Sequence, residues 1–460
     1  MPGPGSGPKQ CADGRVSSDS PVRWRAGWQP SPLPVGGPAR SRLRSLAISA
    51  VVVTAVLALA AAAPARAAPG AASQAGPSAV QSDEWWFNSW EIQSDVWPLS
   101  RGAGVTVGVV DSGVQANLPD LRGAVTPGGN TLGIDNNGEG DGEAPTGHGT
   151  GVAALIAGQG VDGGVVGIAP AAKILPVLVI VGEGVGQYAE SSAWGSATTQ
   201  EIAAGIRMAV NDGAQVINLS IVAQVPSATY CDPVLQDAVA YALQHNVVVV
   251  ASAGNFDTIG DPAEEPASCA GVLAVGAVGP NLEVWPDSER QPYVAVTAPG
   301  FEVTFLTAVD TTIIGSGTSE AAPFVSAAAA LIRSRYPAMP WYTVVQRIIN
   351  TALPAGGSVP NDSYGYGILR IPGALKVAKY PVPATAPDPV YAAYQRWLAS
   401  PQGKQFLAAG HPRPRPSRTH AVAAPAPSGR GSAGLIAVIA AVVVVVVAGG
   451  TAHARRPSTR

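Results

Sequence analysis

The sequence is poor in charged residues. Lys, Arg, Asp and Glu make up 13% of its 460 residues, against about a quarter in an average soluble protein. The 28 basic and 31 acidic side chains nearly cancel and leave a formal net charge of −3. Nucleic-acid-binding proteins concentrate positive charge on one face or along one helix. The composition therefore indicates no nucleic-acid or polyanion partner.

Cysteine is almost absent, with three residues in the whole chain. Cys231 and Cys269 lie in neither a CxxC motif nor a histidine spacing that binds zinc, so the sequence indicates no metal site and no cofactor. Cys11 precedes the apolar run 46–63, which is interpreted below as an export signal, and would be removed with it. The other two form an even pair in an oxidising compartment, where we predict a Cys231–Cys269 disulfide. Two buried thiols are the alternative.

Two long apolar runs lie near the ends of the chain. Residues 46–63 follow several arginines and precede the motif Ala-Arg-Ala at 65–67, a pattern typical of a secretory signal peptide that is cleaved after Ala67. An uncleaved anchor is the alternative. Residues 433–454 are long enough to cross a hydrocarbon layer of about 30 Å, and two arginines follow them. We therefore predict a single-pass cell-membrane protein with an extracytoplasmic main domain and a cytosolic C-terminus.

These runs divide the chain into five regions. The predicted regions are a leader and signal peptide (1–67), a globular domain (68–380), a Pro/Ala-rich linker (381–432), a transmembrane helix (433–454) and a cytosolic tail (455–460). The linker has little periodicity and is expected to be extended, except for a possible short helix. In the globular domain, continuous Val/Ile/Leu runs alternate with helical patterns. This alternation predicts a doubly wound, mostly parallel α/β sheet with helices on both faces.

A serine at the start of a helix is the first candidate for catalysis. Ser319 lies in GSGTSEAAPFVSAAAALI (315–332), where a glycine-rich turn becomes an alanine-rich helix. Backbone N–H groups and the positive end of the helix dipole converge at such a position. They favour a nucleophile whose reaction generates an oxyanion. An ordinary N-cap serine is the alternative.

A nucleophilic serine needs a base, and the base needs an acid that orients it. Three of the five histidines lie beyond the globular domain, which leaves His148 in TGHGTGVAALIAG and His245 at a predicted helix C-terminus. Asp111 follows the apolar run GVTVGVV, so we expect its carboxylate at the carboxyl end of a buried strand, where α/β proteins form ligand sites. The remaining candidates are interpreted as solvated loop residues: Asp120, Asp135, Asp141 and Asp162.

A fourth polar group completes the set. Asn255 follows the apolar run VVVVASAG, and its amide is a candidate to donate to the oxyanion together with the Ser319 N–H. A turn asparagine is the alternative. The order Asp111, His148, Asn255, Ser319 and the motifs VVDSGV, GHGTGVAALIAG, ASAGN and GTSEAAP resemble the subtilisin-like serine proteases over about residues 83–380. The resemblance implies that Ser319 attacks a peptide carbonyl, His148 transfers the proton and Asp111 fixes the imidazole tautomer. It also implies that Asn255 stabilises the tetrahedral intermediate.

The resemblance extends to a substrate-binding segment. Ser220, Ile221 and Val222 match the residues that pair with the peptide as an added strand in that family. Many members have a glycine at the third position, so Val222 is expected to narrow the pocket and to restrict cleavage. Burial in a strand is the alternative role of Ile221 and Val222.

Three further features resemble one subgroup, the mycosins. These features are a tryptophan-rich segment (82–97), the C-terminal span, and about 43 residues between Ala68 and Asp111, too few for a folded inhibitory prosegment. Mycosins are membrane-anchored proteases of type VII secretion systems, so the resemblance implies processing of exported proteins and association with the secretion membrane complex. A general extracellular protease and a non-catalytic scaffold are the alternatives. Docking to a partner or packing across the domain is expected of the tryptophans: Trp85, Trp86, Trp90 and Trp97.

Two features depart from the family pattern. Glu320 follows the nucleophile where Met or Phe is usual. An anion in the first helical turn suits the helix dipole, but it is expected to raise the pKa of His148 or to repel acidic substrates. The loop 134–147 is rich in Gly and Asp but lacks the spacing of an EF-hand. Calcium binding is therefore kept only as an alternative.

Overall fold

The domain is built on one parallel sheet. The structure, a computed structural model, describes residues 80–182, 197–223, 231–256 and 263–410. The strand order is β2-β3-β1-β4-β5-β6-β7, and all neighbouring strands are parallel. The strands are β1 (Thr106–Asp111), β2 (Gly129–Asn130), β3 (Lys173–Leu178), β4 (Val216–Leu219), β5 (Val248–Ser252), β6 (Leu273–Val278) and β7 (Val294–Pro299). A separate antiparallel hairpin consists of β8 (Val303–Leu306) and β9 (Thr312–Gly315).

The central strands are buried on both faces, as the sequence predicts. Every residue of β4, β5 and β6 is buried, and β-branched side chains favour strands in such surroundings. The predicted α/β fold with a mostly parallel sheet is confirmed. The helices are α1 (Trp86–Ser89), α2 (His148–Ala157), α3 (Thr199–Asn211), α4 (Pro233–Gln244), α5 (Thr318–Arg335), α6 (Trp341–Asn350), α7 (Ile371–Leu375), α8 (Pro389–Ala399) and α9 (Pro401–Ala409).

Local capping determines where several helices begin. The Thr198 hydroxyl accepts a hydrogen bond from the Glu201 N–H, and the Glu201 carboxylate accepts one from the Thr198 N–H, which together form a capping box before α3. Before α4, the Asp232 carboxylate accepts from the Val234 N–H at 2.7 Å, and a proline occupies the first helical position. These signals are readable in the sequence because the capping side chain and the N–H group that donates to it lie within one turn of each other.

Helix α5 forms the centre of the core. It packs against β4, β5, β6 and β7, and it is buried along most of its length. Its run of four alanines (327–330) permits close approach to the sheet. Ser326 Oγ donates to Asn218 Oδ1 at 2.7 Å, a buried polar contact that ties the helix to β4. This contact fixes the middle of α5 against β4.

The tryptophan-rich segment packs across the domain, which was one of its two expected roles. Trp86 is fully buried, and its ring meets the Phe324 ring of α5 edge-on at 5.1 Å between centroids. Trp97 Nε1 donates to the Ile168 carbonyl at 3.0 Å. The buried Glu84 carboxylate accepts from the Val166 and Gln81 N–H groups, both at 2.7 Å. Burial raises the pKa of Glu84 to about 7.

The stretch of the predicted linker in which a short helix was expected (391–409) forms two helices, α8 and α9, and both contribute buried side chains. Asp388 caps α8 by accepting from the Tyr391 N–H at 2.9 Å. Tyr394 of α8 and Phe406 of α9 are buried, and the Tyr394 ring packs against Trp341 of α6 at 5.7 Å. Apolar side chains spaced by one helical turn give α8 a face that can bury against the domain. The remainder of the linker, from residue 411, lies outside the described residues.

The two cysteines expected to pair are joined in the structure. Cys231 precedes α4 and Cys269 precedes β6, with their Cα atoms 4.7 Å apart and their sulfurs bonded. Within the four described ranges, no helix combines the length and apolarity needed to cross a bilayer. The predicted signal peptide and the predicted span at 433–454 both lie outside those ranges.

Candidate active site

The carboxyl ends of three neighbouring strands carry the candidate catalytic groups. Asp111 is the last residue of β1, Ser220 follows β4, and Asn255 follows β5. Because β1, β4 and β5 are adjacent and parallel, their carboxyl ends meet at one edge of the sheet. Helix α5 begins at the same edge and supplies Ser319. The topology therefore gathers residues that are distant along the chain.

The acid and the base are hydrogen-bonded. His148 Nδ1 lies 2.7 Å from Asp111 Oδ1, and the same oxygen accepts from the Ser112 N–H at 2.8 Å. Asp111 is fully buried, whereas the His148 side chain is 27% exposed. The carboxylate accepts a hydrogen bond from Nδ1–H, so the proton stays on Nδ1 and Nε2 is free to act as a base.

Close backbone packing explains the glycine that precedes the histidine. Gly147 has φ of +70° and stands immediately before α2. A Cβ atom on this residue would lie 2.5 Å from the Ala308 Cβ. The left-handed conformation and the lack of space both favour glycine. The GHG motif thus allows His148 to start a helix against the β8–β9 hairpin.

Asp141 supports this end of α2, and its expected role as a solvated loop residue is wrong. It is buried and accepts from Ser112 Oγ at 2.8 Å, from the Glu143 N–H at 3.0 Å and from the Thr150 N–H at 2.9 Å. Ser112 Oγ in turn accepts from the Gly149 N–H at 2.9 Å. Burial raises the pKa of Asp141 although these hydrogen bonds oppose the shift. The carboxylate connects the end of β1 to the start of α2.

Asp120 was also expected to be solvated and is instead buried. It accepts from the Val161 N–H at 2.9 Å, and burial raises its pKa to about 6. Sequence patterns did not reveal either burial, because the groups that surround Asp120 and Asp141 come from other loops and from helix α2.

The nucleophile candidate is held by hydrogen bonds to β4. Ser319 Oγ donates to the Ser220 carbonyl at 3.0 Å, and Ser220 Oγ donates to the Ser319 carbonyl at 2.8 Å. Asn218 Nδ2 donates to Ser220 Oγ at 2.9 Å. A hydroxyl carries one hydrogen. Before Ser319 can transfer its proton to His148, its hydrogen bond to the Ser220 carbonyl must therefore break. Catalytic hydrogen bonds are often formed fully only when substrate binds.

The Asn255 amide is oriented by the residue before the nucleophile. Asn255 Oδ1 accepts from the Thr318 N–H and from Thr318 Oγ1, both at 2.8 Å. The Thr318 N–H can only donate, so the amide oxygen must face it and Nδ2 must point the other way. Within the described residues, Nδ2 has no acceptor. Thr318 was not identified from the sequence, although it lies beside Ser319 in the GTS motif.

These groups share one cleft of about 520 Å³. His245 lies elsewhere: it ends α4, and its Nδ1 contacts the Tyr241 carbonyl at 2.7 Å. A second groove of about 640 Å³, next to α8, contains none of the candidate catalytic residues. The residues that line the first cleft are Asp111, Glu143, Thr146, His148, Ile180, Ser220, Ile221, Val222, Ser252, Gly254, Asn255, Phe256, Phe305, Ile313, Gly315, Thr318, Ser319 and Glu320.

Acidic side chains dominate the electrostatics of the cleft. Burial opposes protonation of His148, but Asp111 outweighs it by attraction and hydrogen bonding, and the fields of Glu143 and Glu320 add to the effect. The pKa of His148 is therefore raised above its ordinary value. Burial also raises the pKa of Glu143 to about 7 and that of Glu320 above its usual range. Glu143 was not singled out from the sequence, where it is one of several acids in a glycine-rich loop.

Comparison with known proteins extends beyond the motifs. The sequence profile of the Peptidase S8 (subtilase) family matches residues 102–367. Subtilisin DY of Bacillus licheniformis is 34% identical over 285 residues, which cover 60% of this chain and 92% of the relative. Among solved structures, MycP1 from Mycobacterium smegmatis aligns with a TM-score of 0.55 at 26% identity and covers 68% of this chain and 90% of its own. The MycP3 protease of the type VII (ESX-3) secretion system aligns with a TM-score of 0.52 at 30% identity and covers 66% and 90%.

The family profile spans more than half of the chain, and the matched region contains the cleft with its aspartate, histidine, asparagine and serine. The sequence relatives include a subtilisin, and the structural neighbours include the MycP1 and MycP3 proteases. The chain therefore belongs to the subtilase family of serine endopeptidases.

Proposed function

We propose that this protein is a membrane-anchored, extracytoplasmic serine endopeptidase of restricted specificity that processes proteins exported by a type VII secretion system. The observation that carries the catalytic part is the cleft in which the Asp111–His148 hydrogen bond, Ser319 and Asn255 occur together. The likeness to MycP1 and MycP3 supports the link to secretion.

The first half of the reaction follows from the positions of these groups. Ser319 Oγ attacks the carbonyl carbon of the scissile peptide bond, and its proton passes to His148 Nε2 as the C–O bond forms. Asp111 holds the Nδ1–H tautomer and stabilises the imidazolium. The Ser319 N–H and Asn255 Nδ2 donate to the oxyanion that develops on the carbonyl oxygen. His148 then gives its proton to the leaving amine, the C–N bond breaks and an acyl-enzyme remains.

The second half reverses these roles with water. A water molecule loses a proton to His148 Nε2 and attacks the acyl carbon. The resulting tetrahedral intermediate collapses as His148 returns the proton to Ser319 Oγ, and the new carboxyl terminus of the substrate leaves. The buried contacts of Thr318 with Asn255 keep the amide donor in place through both halves without reorganisation.

The segment after β4 is proposed to bind the substrate backbone as an added strand. Residues Ser220, Ile221 and Val222 line the cleft next to Ser319, and an extended peptide beside them gains main-chain hydrogen bonds. The Val222 side chain occupies space that a glycine would leave open. We therefore propose that few substrates fit and that cleavage is selective.

Membrane anchoring rests on the sequence alone. The uncharged run 433–454 and the two arginines that follow it support one span with a cytosolic C-terminus. Residues 46–63 support export. Together they place the cleft outside the cytoplasm, where it meets exported substrates.

Labelling with a fluorophosphonate probe tests the catalytic role directly. The wild-type protein is expected to form a covalent adduct at Ser319, and the Ser319→Ala variant is expected to form none. A folded wild-type protein that stays unlabelled would favour the alternative of a non-catalytic scaffold subunit.

Comparison of secreted protein termini tests the processing role. Cells with the wild-type protein and cells with Ser319→Ala are expected to differ at a few sites in exported proteins, found by mass spectrometry of N-termini. Broad differences across many unrelated proteins would instead favour a general extracellular protease. No difference would refute processing.

A further inference from the structure

Glu320 is a buried acid in the cleft that pairs with no other residue in the part of the chain that the structure describes. It lies directly after Ser319 and is 9% exposed. Across the described residues, its carboxylate accepts no hydrogen bond from another residue and forms no ion pair. Burial of a carboxylate without an ion-pair partner is costly, because the charge loses hydration, and a hydrogen bond from its own backbone N–H does not prevent the rise of its pKa. Such a group is either protonated or becomes paired when a cation binds.

The position of Glu320 places its oxygens beside the oxyanion donors. A Cβ atom on Gly315 would lie 2.6 Å from Oε1, and one on Gly317 would lie 2.6 Å from Oε2. The same Cβ position on Gly317 is 3.2 Å from Asn255 Nδ2. The carboxylate therefore lies over the turn that leads into the nucleophile. A substrate group that reached it would be close to the scissile bond.

Glu143 adds a second unpaired acid to the cleft lining. Its carboxylate has no hydrogen-bond partner within the described residues, and its field reaches His148. Among the described residues, no lysine or arginine lines the cleft. The three internal stretches that interrupt the described ranges, at 183–196, 224–230 and 257–262, contain none by sequence. His148 lines the cleft and can carry a positive charge, but it is already hydrogen-bonded to Asp111.

We propose that the cleft selects substrates that carry a lysine or arginine side chain next to the scissile bond, with Glu320 as the anionic partner of that side chain and Glu143 strengthening the local field. This inference rests on the proposed proteolytic function and defines its substrate class. A substrate ammonium or guanidinium group would supply the ion pair that Glu320 lacks among the described residues. Acidic side chains at the same position would be repelled.

A bound cation would also assist the base. The carboxylates of Glu143 and Glu320 favour the protonated imidazole of His148, and only the neutral imidazole accepts the serine proton. A positive substrate side chain beside Glu320 offsets part of that field. Basic substrates should therefore have a higher kcat as well as a lower KM.

Matched peptides test the proposal. The purified full chain is incubated with peptides that differ only in Lys, Arg, Gln or Glu at each of the positions flanking the scissile bond, and kcat/KM is measured. At one position the wild type is expected to prefer Lys or Arg over Gln by at least about tenfold, which corresponds to about 1.4 kcal/mol. The preference should weaken at high salt.

Variants assign the preference to the two acids. The Lys/Gln ratio is expected to fall close to one in Glu320→Gln and to fall partly in Glu143→Gln. Glu302→Gln is the matched control, because this exposed acid on the turn before β8 does not line the cleft, and its ratio should equal that of the wild type. Glu320→Met is a second variant in case the glutamine destabilises the turn.

The outcomes separate this proposal from the proposed function. Fluorophosphonate labelling of Ser319 without any preference for basic peptides overturns the selectivity and leaves the protease assignment intact. A preference that persists in the Glu143→Gln/Glu320→Gln double variant also overturns it. A folded wild-type protein that the probe does not label refutes the protease assignment and this inference with it.

Discussion

Two buried glutamates in different regions of the domain have opposite surroundings. Glu84, in the tryptophan-rich segment, is 1% exposed, and both of its carboxylate oxygens accept backbone N–H groups. Glu320, in the cleft, is 9% exposed and accepts from no other residue among those described. A buried carboxylate that the backbone satisfies contributes to structure. One that lies unpaired beside a nucleophile is placed for a ligand.

The comparison extends to the two regions. Segment 80–97 consists of large rings packed on α5, whereas the cleft consists of polar groups at strand and helix ends. Changes in the segment should therefore reduce stability, and changes in the cleft should reduce activity. A variant that does both would break the distinction.

The largest expected effect is on catalysis. Ser319→Ala should lower kcat on a peptide substrate by on the order of a millionfold, the loss known for the nucleophile of subtilisin, a member of the same family. Its melting temperature should stay close to that of the wild type, because the hydroxyl donates only to the Ser220 carbonyl. Peptide hydrolysis and calorimetry measure the two quantities. Substantial residual kcat would show that another group acts as nucleophile.

Trp86→Ala should have the largest effect on stability. The ring is fully buried against Phe324, and loss of a large buried aromatic side chain costs about 3–5 kcal/mol. Urea denaturation followed by fluorescence gives the free energy of unfolding. Ser89→Ala is a control from the same helix, since Ser89 is exposed. A loss below about 1 kcal/mol would mean that the segment is not part of the cooperative fold.

Asn255→Ala should lower kcat by about a hundred- to a thousandfold, the range found when an oxyanion donor is removed from subtilisin. Thr318→Val should have a smaller effect, because the Thr318 N–H still orients the amide oxygen after the hydroxyl is lost. Separate measurement of kcat and KM distinguishes a role in catalysis from a role in substrate binding. An effect confined to KM would assign Asn255 to substrate binding instead.

The smallest expected effect concerns the pH dependence of stability. Burial raises the pKa of Glu84 from about 4.5 in the unfolded chain to about 7 in the folded one. Between these values the folded state binds more protons, so stability falls as pH rises. Glu84→Gln should flatten the decrease in melting temperature across this window. An unchanged slope would mean that other buried acids, such as Asp120, control it.

Much of the site was predictable because each motif is local. The buried run before Asp111, the glycines around His148 and the turn before Ser319 each fit within a dozen residues. Their convergence follows from the parallel strand order, which the alternating pattern predicts. By contrast, the support from Asp141 involves Ser112 and Thr150, which belong to a strand end and a helix. No local pattern reports such contacts.

The same limit applies at the C-terminal side. A proline-rich composition predicts an extended linker from residue 381 with a short helix in it, but it does not predict that α8 and α9 pack on the domain. Tyr394 is buried against Trp341, and Gln402 Nε2 donates to the Pro233 carbonyl at 3.0 Å. These partners lie far away in sequence. Composition therefore described the average character of the segment and not the surface that it covers.

The sequence by itself determined the chemical groups of the site, the strands and helices that carry them and the family to which the chain belongs. Only the tertiary structure decided which buried charges are satisfied. The Glu84 carboxylate accepts a hydrogen bond from the Val166 N–H, which lies in a distant part of the chain. The Glu320 carboxylate accepts none from another residue among those described. Desolvation and hydrogen bonding depend on neighbours that folding brings together. The role of a buried acid is therefore set by its surroundings and not by its position in a motif.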